Sequence, residues 1–411
     1  MPSKVMQYRL PTSLFTLIAI ISTGCQIAVQ AIDLATSSEP TNILKQKEIP
    51  LLAHLNSATG EGIQSHQGEV LAVRPVPGDS SLVVTVGKDK KVVIWDLPSG
   101  RGTLIRQLTE PPTIAAIGAN RALVAYANDS GIFVECIRGC SETFSLKQLK
   151  SRPSSIVFHK DDSSLVIGGL DGRVYRWRFM EEQEASSTEE REMMVERYFA
   201  HSAVVSAVAP HPAGRAFFSA DWSGNLIGWT SYSADAYGGE FDKNLFRGRF
   251  YADIPNAMFA NRLPDRGICA ISISRNGERL ALGLEDGNVE VWEVRGFSLA
   301  AKKLMHNGRV VSVDISGDGT RVVSAGKDTK VRVAELVDDP LHQINPYALP
   351  KLLQDVSENP IPLADRVSFI SPSQVVVTTK EGNLAEIRVQ GTPAPVPTPK
   401  PQKAAPADTD Y

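Results

Sequence analysis

Short apolar runs dominate this chain, and they alternate with polar residues at a period of two rather than at the three-and-four spacing of a helix. Seven runs share one pattern, a polar turn followed by apolar side chains at alternate positions. They cover residues 89–95, 129–135, 171–177, 223–229, 286–292, 328–334 and 381–387. Several turns carry Asp-Gly or Ser-Gly (Asp171-Gly172, Ser223-Gly224, Asp286-Gly287), pairs that favour tight hairpins.

A second strand is predicted just upstream of each run, at 82–86, 123–126, 165–167, 216–220, 280–284, 322–325 and 375–379. A third lies further upstream, at 70–73, 114–117, 155–158, 204–208, 269–273, 310–315 and 367–370. A more polar fourth strand follows each run, as at 103–108 and 195–199. Four antiparallel strands at intervals of about 40–45 residues make a β-propeller blade. One such sheet leaves an apolar face open, whereas seven stacked around an axis cover both faces of each. The expected fold is therefore all-β: a single seven-bladed β-propeller of four-stranded antiparallel blades, over residues 46–390.

The two ends read differently. Lys4 and Arg9 precede an apolar core at 14–21, and Val29-Gln30-Ala31 suits cleavage after Ala31, so residues 1–31 read as an export signal peptide. An alternative is a lipoprotein anchored through Cys25, since Gly24 precedes that cysteine. Residues 32–45 read as a linker. Residues 391–411 form a Pro-rich tail with little to bury, expected to be disordered and to act as a spacer. The expected location is periplasmic or secreted.

Composition narrows the function. The 411 residues are 42% hydrophobic and 22% charged, and 43 Lys+Arg against 46 Asp+Glu leave a net charge of −3. That balance argues against a nucleic-acid partner. No apolar stretch reaches the roughly 18–20 residues of a membrane span. Four cysteines are too few for a disulfide scaffold or a multi-ligand zinc site.

The repeated segments resemble the WD-repeat propellers, across roughly residues 48–390. The first repeat matches best, from His66 through Thr85 and Asp89 to Trp95-Asp96. Elsewhere the match is degenerate, with Glu135, Ala334 and Ile387 at the tryptophan position. The resemblance implies that His66, Thr85, Asp89 and Trp95 are a buried structural tetrad rather than a catalytic relay. The sixth repeat keeps His306, Ser324 and Asp328 without the tryptophan. The fourth keeps His201, Ser219 and Trp229, with Ser223 at the acidic position. It also implies that the first strand of the chain, a candidate at 48–55, completes the seventh blade and closes the ring.

No nucleophile elbow, phosphate-cradling glycine loop or His-Glu-x-x-His pair occurs. No catalytic residue, metal site or cofactor is expected. Cys136 and Cys140, with three residues between them across a predicted hairpin, are a disulfide candidate, with free thiols or a metal as the alternatives. Cys269 is expected to be a small buried hydrophobe. Binding is expected on loops. Insertions at 181–196, 231–266 and 338–350 all follow a third strand, which places them on one face of a propeller. The second is rich in aromatics and arginines, and Tyr232, Tyr237, Phe241, Phe246, Arg247 and Arg249 are the partner-binding candidates. The expectation is an exported, monomeric, non-enzymatic scaffold for another protein. A secreted enzyme, or a carbohydrate- or small-molecule-binding propeller using the axial pocket, is the alternative.

Overall fold

The computed structural model describes residues 47–48 and 66–389, the latter with breaks at 77–78, 120–121, 138–142, 148, 150, 160–161, 180–194, 200, 215, 231–256, 263–265 and 346–347. Seven four-stranded antiparallel sheets account for nearly all of it. Six are simple meanders, each built from four consecutive strands, with blade one spanning 70–107 and blade six 310–360. Blade seven carries three consecutive strands between Ala364 and Arg388. Beside its outer edge lie Lys47 and Glu48, opposite Arg388 and Ile387. The rest of the expected 48–55 strand lies outside the described residues.

Alternation of side chains explains the stacking, because each face of a sheet has its own neighbour. In blade one, Val83, Val93 and Trp95 pack with Val376 and Leu384 of blade seven. The intervening residues Val86 and Val92 pack instead with Val124 and Tyr126 of blade two. Blade four repeats the scheme, with Phe217, Ile227 and Trp229 against Val166, Val174 and Tyr198 of blade three. Burying a residue of this kind is worth about 1.5–3 kcal/mol. Neither face of a blade could be left open without exposing a full apolar layer.

The innermost strands carry a further regularity. Six of them break register at the same place, where Leu71, Ser154, Ser206, Cys269, Val311 and Asp365 are the extra residues. Such bulges re-aim a side chain, and here it turns toward the adjoining blade. The Ser154 hydroxyl donates to the Val205 carbonyl of blade four at 2.6 Å, and the Ser206 hydroxyl to Ile268 of blade five. Beyond the bulges, Asp314 joins three blades by accepting from the Ser272 hydroxyl and the Phe369 amide. Across the turn beyond these strands, at the start of the second strands, Arg279 donates to the Gly319 carbonyl and Arg321 to the Pro372 carbonyl, both at 2.9 Å. Polar stitches thus hold the inner ring while apolar faces hold the sheets.

Candidate functional site

In blade one the four repeat residues form a one-way hydrogen-bond chain. The Trp95 Nε1–H donates to Thr85 Oγ1 at 2.7 Å, and Thr85 Oγ1 lies 2.7 Å from His66 Nε2. His66 Nδ1 lies 2.9 Å from Asp89 Oδ1. The hydrogen bonds from His66, Gln67 and Lys91 outweigh burial and hold the Asp89 carboxyl below its ordinary range. A carboxylate only accepts, so Nδ1 carries the proton, Nε2 accepts from the Thr85 hydroxyl, and every group is satisfied. The chain is buried, ends on an indole and offers no open position for a substrate. This geometry supports framework chemistry.

Blade six keeps two links of the chain, His306 to Ser324 and His306 to Asp328, each at 2.8 Å. Where the tryptophan would sit, Ala334 is buried instead. Arg332 compensates from the acid end, donating to Asp328 Oδ2 at 2.8 Å. Although burial opposes its charge, these bonds from Arg332 and His306 push Asp328 down to about 2.

Blade four corrects the sequence reading, because its acid is Asp221 and not Ser223. His201 Nε2 lies 2.6 Å from Ser219 Oγ, which accepts from Trp229 Nε1 at 2.7 Å, and Nδ1 lies 3.0 Å from Asp221 Oδ2. Asp221 also accepts the Ser223 and Asn225 amides, so it fixes the turn as well. In blades one and six the corresponding positions are Gly87 and Gly326, where a Cβ would overlap the histidine ring and the acid. An acid at that position starts where the other blades need empty space, so it reaches the imidazole directly. The signal was present as Asp in place of Gly two residues after the hydroxyl.

Blade two has no indole, histidine or aspartate in this network. Glu135, at the tryptophan position, is fully buried, and four groups converge on it. Thr109 Oγ1 donates at 2.6 Å, Arg106 from the outer strand of blade one at 3.0 and 3.2 Å, and the Tyr126 hydroxyl and Thr109 amide also donate. Burial opposes the charge, yet these donors hold the Glu135 carboxyl below its ordinary range. Burial, then the contact with Glu135, pushes Tyr126 up to about 12. Glu290 plays a related part in blade five, accepting from Trp292 Nε1 and Lys302.

The axis holds a cavity of about 200 Å³, reached by all seven innermost strands and lined by residues such as Leu71, Ser154, Ser206 and Ser312. Its titratable lining residues are Cys269 and Arg366. Cys269 is thus a half-buried free thiol at the cavity wall, not simply a packed hydrophobe, and burial pushes its pKa up to about 12. Ser154 and Ser206 are already committed to carbonyls of neighbouring strands. No acid/base pair meets in the cavity among the described residues. Nor do three or more His, Cys, Asp or Glu side chains cluster there to hold a metal ion.

The partner-binding candidates Tyr232, Tyr237, Phe241, Phe246, Arg247 and Arg249 lie outside the described residues, as do Cys25 and Cys140. The second insertion supplies the fourth strand of blade four at Ala257–Arg262. Cys136 ends the third strand of blade two with its side chain buried. The third insertion rises on an extended hairpin whose arms, Lys330–Asp338 and Lys351–Pro360, pair along their length. Its tip is a short 3₁₀ turn at Pro340–Gln343, capped by Asp339. On it Leu341 is 62% exposed, and Ile344, immediately after, is 83% exposed. Among the described residues, no helix is long and apolar enough to cross a membrane.

A repeat propeller with a small, inward-committed axis and buried His-centred networks is built as a framework. Residues 59–96 and 301–334, the first and sixth repeats, match the family model for the WD domain, G-beta repeat. Among solved structures, the crystal structure of RRP9 WD40 repeats superposes with a TM-score of 0.56 at 15% identity, covering 79% of this chain and 96% of that one. Periodic tryptophan protein 2 of Saccharomyces cerevisiae is 26% identical over 63% of this chain and 24% of its own length. Protein FIZZY-RELATED 2 of Arabidopsis thaliana is 24% identical over 62% of this chain and 47% of its own. The chain thus spans from about a quarter to about half of the length of the curated relatives it matches. The fold is that of a seven-bladed β-propeller, and its first and sixth repeats match the WD-repeat model.

Proposed function

We propose that this chain is an exported, non-enzymatic platform that docks another protein through the face carrying its third-to-fourth-strand insertions. The observation that carries the reading is the pair Leu341 and Ile344, held out to solvent at the tip of a capped, extended hairpin. Rigidly presented apolar side chains on a loop are what a docking surface needs, whereas an exposed apolar tip serves no purpose in folding. The aromatic insertion at 231–256 springs from the same face. The small axial cavity, with one arginine and one high-pKa thiol, favours this over catalysis.

Export rests on Lys4, Arg9 and the apolar core at 14–21. In an oxidising compartment Cys136 pairs with Cys140, a reading supported by the short spacing of the two cysteines just after the third strand of blade two. The docking reading is tested by pull-down from periplasmic extract with the tagged chain, a Leu341→Ser/Ile344→Ser variant, and a variant lacking residues 234–246. Capture of one partner species by the parent chain, lost in both variants at unchanged melting temperature, is the expected result. Capture equal in all three would exclude this face.

A further inference from the structure

Large exposed apolar side chains gather on the opposite face as well. Leu170 and Trp222 sit in second-to-third-strand turns, and Phe199 ends a fourth strand. Phe199 is 57% and Trp222 37% exposed. They belong to one continuous surface. The turn at Gly172 abuts the His201 and Ala203 carbonyls, the Trp222 amide donates to the Val204 carbonyl, and the Trp222 ring edge rests on Gly267 of blade five. A guanidinium lies over each aromatic ring, with Arg173 Cζ 4.9 Å from the Phe199 centroid and Arg309 Cζ 5.3 Å from that of Trp222.

Charge on this surface is unequally committed. Arg173 has Asp171 at 3.5 Å, and Asp286 is held by Arg266 at 3.2 Å. Arg309 has no ion pair or side-chain hydrogen bond among the described residues beyond its ring contact, and neither has exposed Lys327, whose amide bonds the Arg309 carbonyl. Among the described residues, the uncommitted acid beside them is Glu285, at the blade-five edge of Trp222. A stacked guanidinium keeps its fork of donors free for a carboxylate.

We propose that this face, centred on Trp222 and Arg309, binds an extended acidic segment of a partner protein. Aliphatic side chains of that segment lie on Trp222, Phe199 and Leu170, and its carboxylates meet Arg309 and Lys327. Glu285 repels a carboxylate on its own side and so sets which way the segment runs. This surface is separate from the insertion face.

Fluorescence anisotropy with the full chain tests it, using a fluorescein-labelled Leu-Glu-Glu repeat peptide and its Leu-Gln-Gln counterpart. The acidic peptide is expected to bind about tenfold or more tightly than the neutral one, and less so as salt is raised. Arg309→Gln should remove most of that preference, and Trp222→Phe, which keeps a ring in the turn, should weaken both peptides at unchanged melting temperature. Deleting 234–246 should change neither affinity. Equal affinities for the two peptides, an acidic preference that survives Arg309→Gln, or loss of binding on that deletion would each overturn the proposal.

Discussion

His201 Nδ1 and Asp221 Oδ2 lie 3.0 Å apart, both fully buried, and the acid stands two residues after Ser219 rather than four. Blades one and six reach the same arrangement with Asp89 and Asp328, each four residues beyond the hydroxyl and across a glycine. Two backbone routes therefore lead to one hydrogen-bond chain. Asp221→Ala should lower stability by about 1–3 kcal/mol, because it strands a buried imidazole and two turn amides. Ser223→Ala should fall within about 0.5 kcal/mol of the parent. Urea denaturation of the two variants separates the assignments.

Glu135 makes a second case. Removing it leaves Arg106, Tyr126 and Thr109 aimed at an empty place between blades one and two. Glu135→Leu should cost about 2–4 kcal/mol, below the range for a wholly buried pair because Arg106 is 37% exposed. Tyr126→Phe removes one donor of several and should cost about 1 kcal/mol. Denaturation midpoints with an unchanged m-value would check both.

Why some of this was legible and some was not follows from what each residue does. Turn pairs such as Asp286-Gly287 and the alternation in 286–292 are local, and they placed the strands of blade five within a residue or two. The tetrad of blade one was legible because its spacing is regular. Asp221 is marked only by an Asp in place of Gly two residues after the hydroxyl, a sign that Ser223 at the usual acid position masks until the turn is built. Glu135 was noticed only as a missing tryptophan, because its donors come from a different strand and a different blade. The bulges at Ser154, Ser206 and Asp365 leave no pattern in sequence, as they reflect the crowding of seven strands at the axis. Residues 232–249 have the composition of a binding site, but composition does not fix where their side chains point.

Acid should loosen the ring in two steps. Burial lowers the pKa of His306 below 6.5 in the folded protein, so the unfolded chain takes up a proton first as pH falls through that value. Stability present at neutral pH then declines. Asp328, pushed down from 3.8 to about 2, contributes stability above pH 3.8 that is lost as pH falls toward 2. Asp328→Asn should flatten the lower step and leave less stability at pH 7. Urea midpoints across the pH range check the sign, and a variant more acid-sensitive than the parent between 4 and 2 would contradict it.

Asp365 behaves in the opposite sense. It occupies the bulge position at which Ser154 and Ser206 donate to the next blade, but among the described residues its Oδ2 has no hydrogen-bond partner and Arg366 approaches only to 3.4 Å. Burial raises its pKa above 3.8, so its share of stability is present in acid and lost as pH rises through the folded value. Asp365→Ser should restore a donor and raise stability at pH 7 by about 1 kcal/mol. A lower melting temperature for that variant would show that the carboxylate has a partner worth keeping.

Pairing of Lys47 and Glu48 with blade seven gives the most direct test of the whole account. The outer edge of blade seven meets the chain again at Lys47 and Glu48, and an uncovered edge there would invite aggregation. Deleting residues 46–56 and measuring thermal unfolding should yield insoluble protein or a melting temperature lower by many degrees. An unchanged melting temperature in soluble, monomeric protein would contradict a ring that depends on that segment.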